Sequence, residues 1–282
     1  MLTSPGVFMD PFTDYGFKKL FGEESSKVYL IDFLNSVFVD FIPSISELNY
    51  HKNEQLGNKQ IDRNAVFDLY CKSTEGTHFI IELQKAKQDY FRQRSLFYST
   101  FAITEQAPKG VWNFALNPVY CIGLLNFTID NNPHKYLTKA RILDIETHQT
   151  VIPELNFAFV EGPKFNKTLK HNSSRQDKWL YILTHLAQLH SMPDELSDPM
   201  FEDFFQRANI LKLPSRERAR YNASITYYRD MHNIEAQNLA KGREEGELKK
   251  ALEIARNLLD ILDDATIAQK TGLDEMTIRG LR

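Results

Sequence analysis

The sequence predicts an α/β fold in which a mixed central sheet is flanked by helices and followed by a helical C-terminal region. Three observations carry this. Two neighbouring apolar stretches, AVFDLYC at 65–71 and HFIIELQ at 78–84, have the length and the β-branched or aromatic content of buried strands. The stretch KQDYFRQRSLFYSTFAITEQ at 87–106 contains neither Gly nor Pro and reads as a helix. From about Gln176 the apolar spacing turns helical, punctuated by Pro193, Pro199 and Pro214.

Taken in order, the chain opens with two helices, around TDYGFKKLFG and over SKVYLIDFLNSVFVDF. In the second, Val28, Ile31, Leu34, Asn35 and Phe38 fall near one face, Ser25 or Ser26 is placed to cap the start, and Pro43 ends it. Strands follow near SISELNYH, AVFDLYCKS and THFIIELQ, then the 87–106 helix. Further strands are expected over PVYCIGLLNFTI and KYLTKARILDIE, with a shorter one at LNFAFV. This core ends near Phe165. The spacing then predicts a helical extension over 166–234, a charged helical arm over 235–263, in which Gly242 and Gly246 each cost about 1 kcal/mol, and a tail over 264–282.

With 282 residues, 42% of them hydrophobic, the chain can bury one sizeable core and still carry appended modules. No apolar run reaches the roughly 18 residues of a membrane span, and MLTSPGVFMDPF has no secretory pattern, so a cytoplasmic protein is expected. Cys71 and Cys121 lie in strand-like stretches without metal-ligand spacing and read as buried thiols. The net charge of -3 gives no global polyanion-binding signature, yet a local basic surface suffices for a nucleic-acid enzyme. Lys164, Lys167, Lys170, Arg175 and Lys178 form one basic cluster; Arg207, Lys212, Arg216, Arg218 and Arg220 form another. By themselves both read as solvated faces.

Each of the two central strands carries one acid, Asp68 and Glu82. Alternation puts Phe67, Leu69 and Cys71 on one face and Asp68 on the other, while Glu82 and Gln84 share a face in the next strand. If Thr74, Glu75 and Gly76 form a three-residue loop with Gly76 in the left-handed region, Ser73 pairs with Thr77 and Asp68 falls opposite Glu82. Opposed Cβ atoms lie about 4.5 to 5.5 Å apart. Two carboxylates at that range repel unless positive charge intervenes, and hard oxygen ligands suit Mg²⁺ or Mn²⁺. Such an ion can activate water against a phosphodiester. The alternative is a solvated hairpin face with two wet acids.

Asp68, a hairpin, Glu82-Leu83-Gln84 and a helix together resemble the PD-(D/E)XK nuclease core, most closely its recombination-promoting nuclease and transposase branch, known as Rpn. DPFTDYGFKKLFG resembles that family's opening motif, LIDFLNSVF its second helix, and NPVYCIGLLNF a later strand; the resemblance covers roughly 8–185. It implies Mg²⁺- or Mn²⁺-dependent cleavage of DNA, with Asp68, Glu82 and the main-chain carbonyl of Leu83 as metal ligands. Gln84 stands where the motif has lysine; it can position water or bond the phosphate but carries no charge. Lys85 should point to the opposite face, leaving Arg94 to supply positive charge. Asp14 either completes the metal site or, like Asp10, caps a helix. Gln88 would meet a phosphate at the start of the following helix, Arg94 and Tyr98 stand at i and i+4, and Lys18, Lys164, Lys167 and Lys170 are expected DNA contacts. Packing roles are the alternative for Gln88, Arg94 and Tyr98.

The tail, DATIAQKTGLDEMTIRGLR, has helix-turn-helix spacing, but Asp274 and Glu275 open its second helix and would repel phosphate. A docking or homo-oligomerisation element is expected there instead. Two readings compete with a DNA endonuclease: a catalytically silent DNA- or protein-binding scaffold that keeps the fold, and a helix-turn-helix regulator built on an α/β platform.

Overall fold

A computed structural model describes residues 6–51, 54–55, 65–87, 89–108 and 110–282, with backbone only at 54–55, 65–66, 232 and 235. The chain divides into two compact units, Met1–Ile225 and Thr226–Arg282.

In the first unit, α1 (Asp14–Phe21) and α2 (Lys27–Val37) precede β1 (Leu48–Tyr50), β2 (Glu54–Gln55), β3 (Ala65–Val66), β4 (Leu69–Ser73) and β5 (His78–Gln84). Next come α3 (Phe91–Thr104), β6 (Val119–Leu125), β7 (Leu137–Leu143), β8 (Thr150–Glu161), α4 (Arg175–His185) and α5 (Pro199–Ala208). The main sheet has six strands in the order β1-β4-β5-β6-β8-β7; β5, β6 and β8 run parallel and the other pairings are antiparallel. This is the mixed sheet with flanking helices that the sequence predicts. One face packs α1, α2, α4 and α5 over Leu69, Cys71, Phe79, Ile81 and Leu83. The other packs α3 over Tyr70, Ile80 and Cys121, as expected for a helix that crosses between two parallel strands.

Several elements depart from the sequence reading for local reasons. AVFDLYCKS is not one strand: the chain bends at Asp68, between β3 and β4. The bend breaks the alternation, so Phe67 joins Tyr70 beneath α3 instead of facing the side of Leu69 and Cys71. Helix α3 begins at Phe91 rather than at 87, because Tyr90 takes a left-handed conformation (φ 62°) that starts the helix after it. In α2 the buried face is Tyr29, Leu30, Phe33, Leu34 and Val37, with Val28 turned to solvent. Strand β8 is longer than LNFAFV. It continues back to Thr150 past Pro153, where the ladder with β7 shifts register because proline has no N–H to donate.

Helix α6 runs unbroken from Ser215 to Leu258, beginning in the first unit and continuing in the second through Gly242 and Gly246. The second unit also contains α7 (Asp264–Thr271) and α8 (Glu275–Arg279), capped by Asp263 and Asp274. Ala255, Ile267 and Ile278 form its small buried core. Among the described residues, no helix is long and apolar enough to cross a membrane.

Candidate active site

The turn between β4 and β5 sets the site. Gly76 sits at φ 93°, where a side chain would be strained, and the Ser73 and Thr77 backbones pair at 2.9 Å. The ladder runs Lys72 to His78, Cys71 to Phe79, Tyr70 to Ile80 and Leu69 to Ile81. One further step along this register brings the Asp68 bend against Glu82. Tyr70 and Ile80 face α3, and alternation along β5 carries Glu82 and Gln84 to that same face.

Asp68 is half-buried, and its Oδ2 accepts the Leu83 N–H at 2.6 Å. The N–H and C=O of one strand residue project to the same edge, so the Leu83 carbonyl also lies on the Asp68 side. Glu82 is only 5% exposed. Burial, and then the neighbouring charge of Asp68, push the Glu82 carboxyl up to about 8, against a smaller downward pull from Arg94. Asp68 is also raised, chiefly by burial and partly offset by the Leu83 N–H; Asp14 raises it further, while Lys18 and Arg94 lower it. The two acids therefore form an electrostatically loaded pair, not a wet hairpin face.

Arg94 lies over them from α3. Its Nη2 is 3.5 Å from Glu82 Oε2, and its guanidinium stacks 5.2 Å from the Phe91 ring and 5.5 Å from the Tyr98 ring. Tyr98 packs edge-on against Phe67 at 5.3 Å, and burial together with the charge of Glu82 raises its hydroxyl. The other oxygen of Glu82, Oε1, is buried without a hydrogen-bond partner among the described residues. An acceptor held dry in this way is what a cation would satisfy. The donors fit a hard divalent ion: two carboxylates and a main-chain carbonyl, with water to fill the remaining positions. Among the described residues, no third His, Cys, Asp or Glu converges with them.

The remaining predicted residues are placed unevenly. Asp14 and Lys18 form an exposed ion pair at 2.6 Å on α1, close enough for both charges to act on Asp68. Neither Asp10 nor Asp14 caps α1; Thr13 does, accepting the Gly16 N–H at 3.0 Å. Asp10 instead binds Lys85 Nζ at 2.6 Å, so Lys85 is turned toward the α1 side. Gln84 is half-buried, with its carbonyl bound by Asn126 N–H at 2.8 Å. Gln88 lies outside the described residues.

The expected basic contacts at 164–170 are largely occupied. Lys164 is not a surface cation: its side chain is 4% exposed and held between Glu161 at 2.7 Å and Asp130 at 2.6 Å. A lysine buried between two carboxylates serves the fold. Lys167 binds Asp177 at 2.8 Å, and Lys170 is exposed.

Sequence reasoning missed Gly123, which pairs with Glu82 across the parallel ladder. A Cβ there would lie 2.7 Å from the Phe91 ring, so the missing side chain is the space that lets α3 approach and bring Arg94 over the acids. Its only trace in the sequence is a glycine inside an apolar strand, which signals close approach without naming what approaches.

Compared with known families, residues 11–255 match PD-(D/E)XK nuclease family transposase. No curated protein and no solved structure matches the chain. The match spans most of the sequence, and with a mixed sheet, flanking helices and an acid pair formed by the bend before β4 and by β5, the chain belongs to the PD-(D/E)XK nuclease family transposases.

Proposed function

We propose that the protein is a metal-dependent DNA endonuclease acting in recombination, transposition or a related mobile-element or defence process. The observation that carries this reading is the buried, mutually repelling pair Asp68 and Glu82 beneath Arg94, in a chain of a nuclease family. Asp68, Glu82 and the Leu83 carbonyl would hold Mg²⁺ or Mn²⁺. When bound, such an ion supplies positive charge that lowers the pKa of the attacking water and stabilises the pentavalent phosphorus.

The chain's own groups do the rest. The Leu83 N–H fixes one Asp68 oxygen and so sets the direction of the other. Arg94, held between two rings, offers a fixed cation to Glu82 and to a scissile phosphate beside it. Gln84, on the face of Glu82, positions water or a phosphate oxygen through its amide. Asp14 and Lys18, an exposed ion pair on α1, tune Asp68.

One observation favours the second reading, a silent scaffold: the family motif's lysine is Gln84 here. Plasmid cleavage with Mg²⁺ or Mn²⁺ separates the two. The parent should nick or linearise the plasmid, and Asp68→Ala and Glu82→Gln should abolish this. Cleavage that persists in both variants would sink the assignment, and a parent inert with either metal would favour the scaffold. For the second unit, self-association remains the proposed role.

A further inference from the structure

The chain's two basic clusters are treated unequally by the fold. In the 164–178 cluster, three cations already face acids: Lys164 on Glu161 and Asp130, Lys167 on Asp177, and Arg175 on Asp32 at 2.7 Å and Asp198 at 2.9 Å. Between 207 and 220 stand five cations and one acid. Arg207 is taken by Glu23, and the single acid, Glu217, is taken by Lys19 at 2.9 Å. The other four cations are in no ion pair among the described residues. Lys212 contacts the neutral amide of Gln206, and Arg218 caps the carbonyls of Leu211 and Leu213 at 3.2 Å each. Arg216 and Arg220 are exposed, one turn apart on α6. Positive charge is therefore cancelled at three of five cations in one cluster and at one of five in the other.

The less cancelled cluster is anchored to the segment whose charges act on the acid pair. Tyr221 Oη accepts the Asp10 N–H at 2.9 Å, and Glu217 accepts the Tyr15 hydroxyl at 3.0 Å. Helix α1, which carries Tyr15 and Lys19, also carries Asp14 and Lys18, whose charges reach Asp68. All of these residues lie within the first compact unit.

We propose that Arg216 and Arg220, with Lys212, form a phosphate-binding surface that holds the DNA backbone flanking the bond cleaved at Asp68 and Glu82; this rests on the nuclease reading above. Guanidinium groups match phosphate in fork geometry, and backbone contacts of this kind supply most sequence-independent affinity for DNA. The surface offers charge and reach without needing a base-reading helix.

The test is binding of a short fluorescein-labelled duplex, by anisotropy with Ca²⁺ in place of Mg²⁺ across a salt series. The double variant Arg216→Glu/Arg220→Glu should bind about tenfold more weakly or worse, and Arg216→Ala/Arg220→Ala should flatten the log–log salt slope by about 2, near 0.9 per phosphate contact. Arg216→Lys/Arg220→Lys should retain the parent's slope, which a merely structural role would not predict. Parent-like affinity and slope in the Glu variant would overturn the proposal while leaving the nuclease reading intact. Loss of binding in Lys167→Glu/Lys170→Glu instead would place the backbone on the other cluster, again overturning it. A parent that neither binds the duplex nor cuts plasmid would fail the nuclease reading itself and take this surface with it.

Discussion

Glu82 and Gly123 are register partners on adjacent parallel strands, and the side chain that Gly123 lacks is the volume that Phe91 occupies. The acid and the glycine thus act together: one strand presents the carboxylate, the next lets α3 settle low enough for Arg94 to reach it. Gly123→Ala should force the Phe91 ring outward, since the new Cβ would lie 2.7 Å and 2.9 Å from ring atoms and 3.0 Å from Phe159. Overpacking of this kind costs about 1 to 3 kcal/mol. Urea denaturation should show that loss, and plasmid cleavage should fall further than the stability change explains. Adding Phe91→Leu should recover stability; a double variant no more stable than Gly123→Ala would show that Phe91 is not what the glycine accommodates.

The raised carboxyl of Glu82 makes the metal-free protein sensitive to pH in a definite direction. Its folded value, about 8, lies above the ordinary 4.5, so the folded state holds a proton that the unfolded state has released. Stability is therefore full below about 4.5 and is lost as pH rises through about 8. In EDTA, the parent should lose urea resistance across this window, while Glu82→Gln, which leaves only Asp68 of the pair to titrate, should lose less. A parallel decline in both would place the titration elsewhere. Mn²⁺ binding at neutral pH should release about one proton, measurable by calorimetry in buffers of different ionisation heat.

The hairpin was legible because its information is local. Gly76, the alternation and the two acids all fall within a short stretch, and a three-residue turn leaves few registers. The mixed sheet followed from strand-like runs separated by one long helix. What escaped depends on neighbours distant in sequence: Phe91 against Gly123, Lys164 against Asp130, Lys85 against Asp10. The bend at Asp68 escaped for a different reason. Period-two alternation carries no mark of where a strand breaks, and the residue that breaks it here is the acid itself.

Lys164 illustrates how a residue can look like a DNA contact and serve the core. Burial alone would depress its pKa, but its bonds to Asp130 and Glu161 outweigh that and hold it raised. Lys164→Ala would leave Glu161, which is fully buried, without its cation, at a cost of about 3 to 5 kcal/mol. Lys164→Met with Glu161→Gln should restore most of this in urea denaturation. Duplex affinity of the folded double variant should match the parent; a drop of the size seen for Arg216→Glu/Arg220→Glu would return Lys164 to the binding surface.

On the nuclease reading proposed above, Arg94 and Gln84 divide between them the task that the family motif gives to lysine, and exchanging charges tests this division. Arg94→Met keeps volume between Phe91 and Tyr98 but removes the cation 3.5 Å from Glu82, so the Glu82 carboxyl should rise further and cleavage at neutral pH should fall about a hundredfold. Arg94→Lys should rescue only in part, because an ammonium cannot stack on two rings as a planar guanidinium does. Gln84→Lys, alone and in the Arg94→Met background, restores a cation two residues from Glu82 on the same face. It should lower the Glu82 titration and raise cleavage in both backgrounds, more so where Arg94 is missing, which a double-mutant cycle on cleavage rate and on the pH profile would measure. If lysine at 84 moves the profile but yields no cleavage in any background, the acid pair is real and the chemistry is not, and the scaffold reading gains over the nuclease.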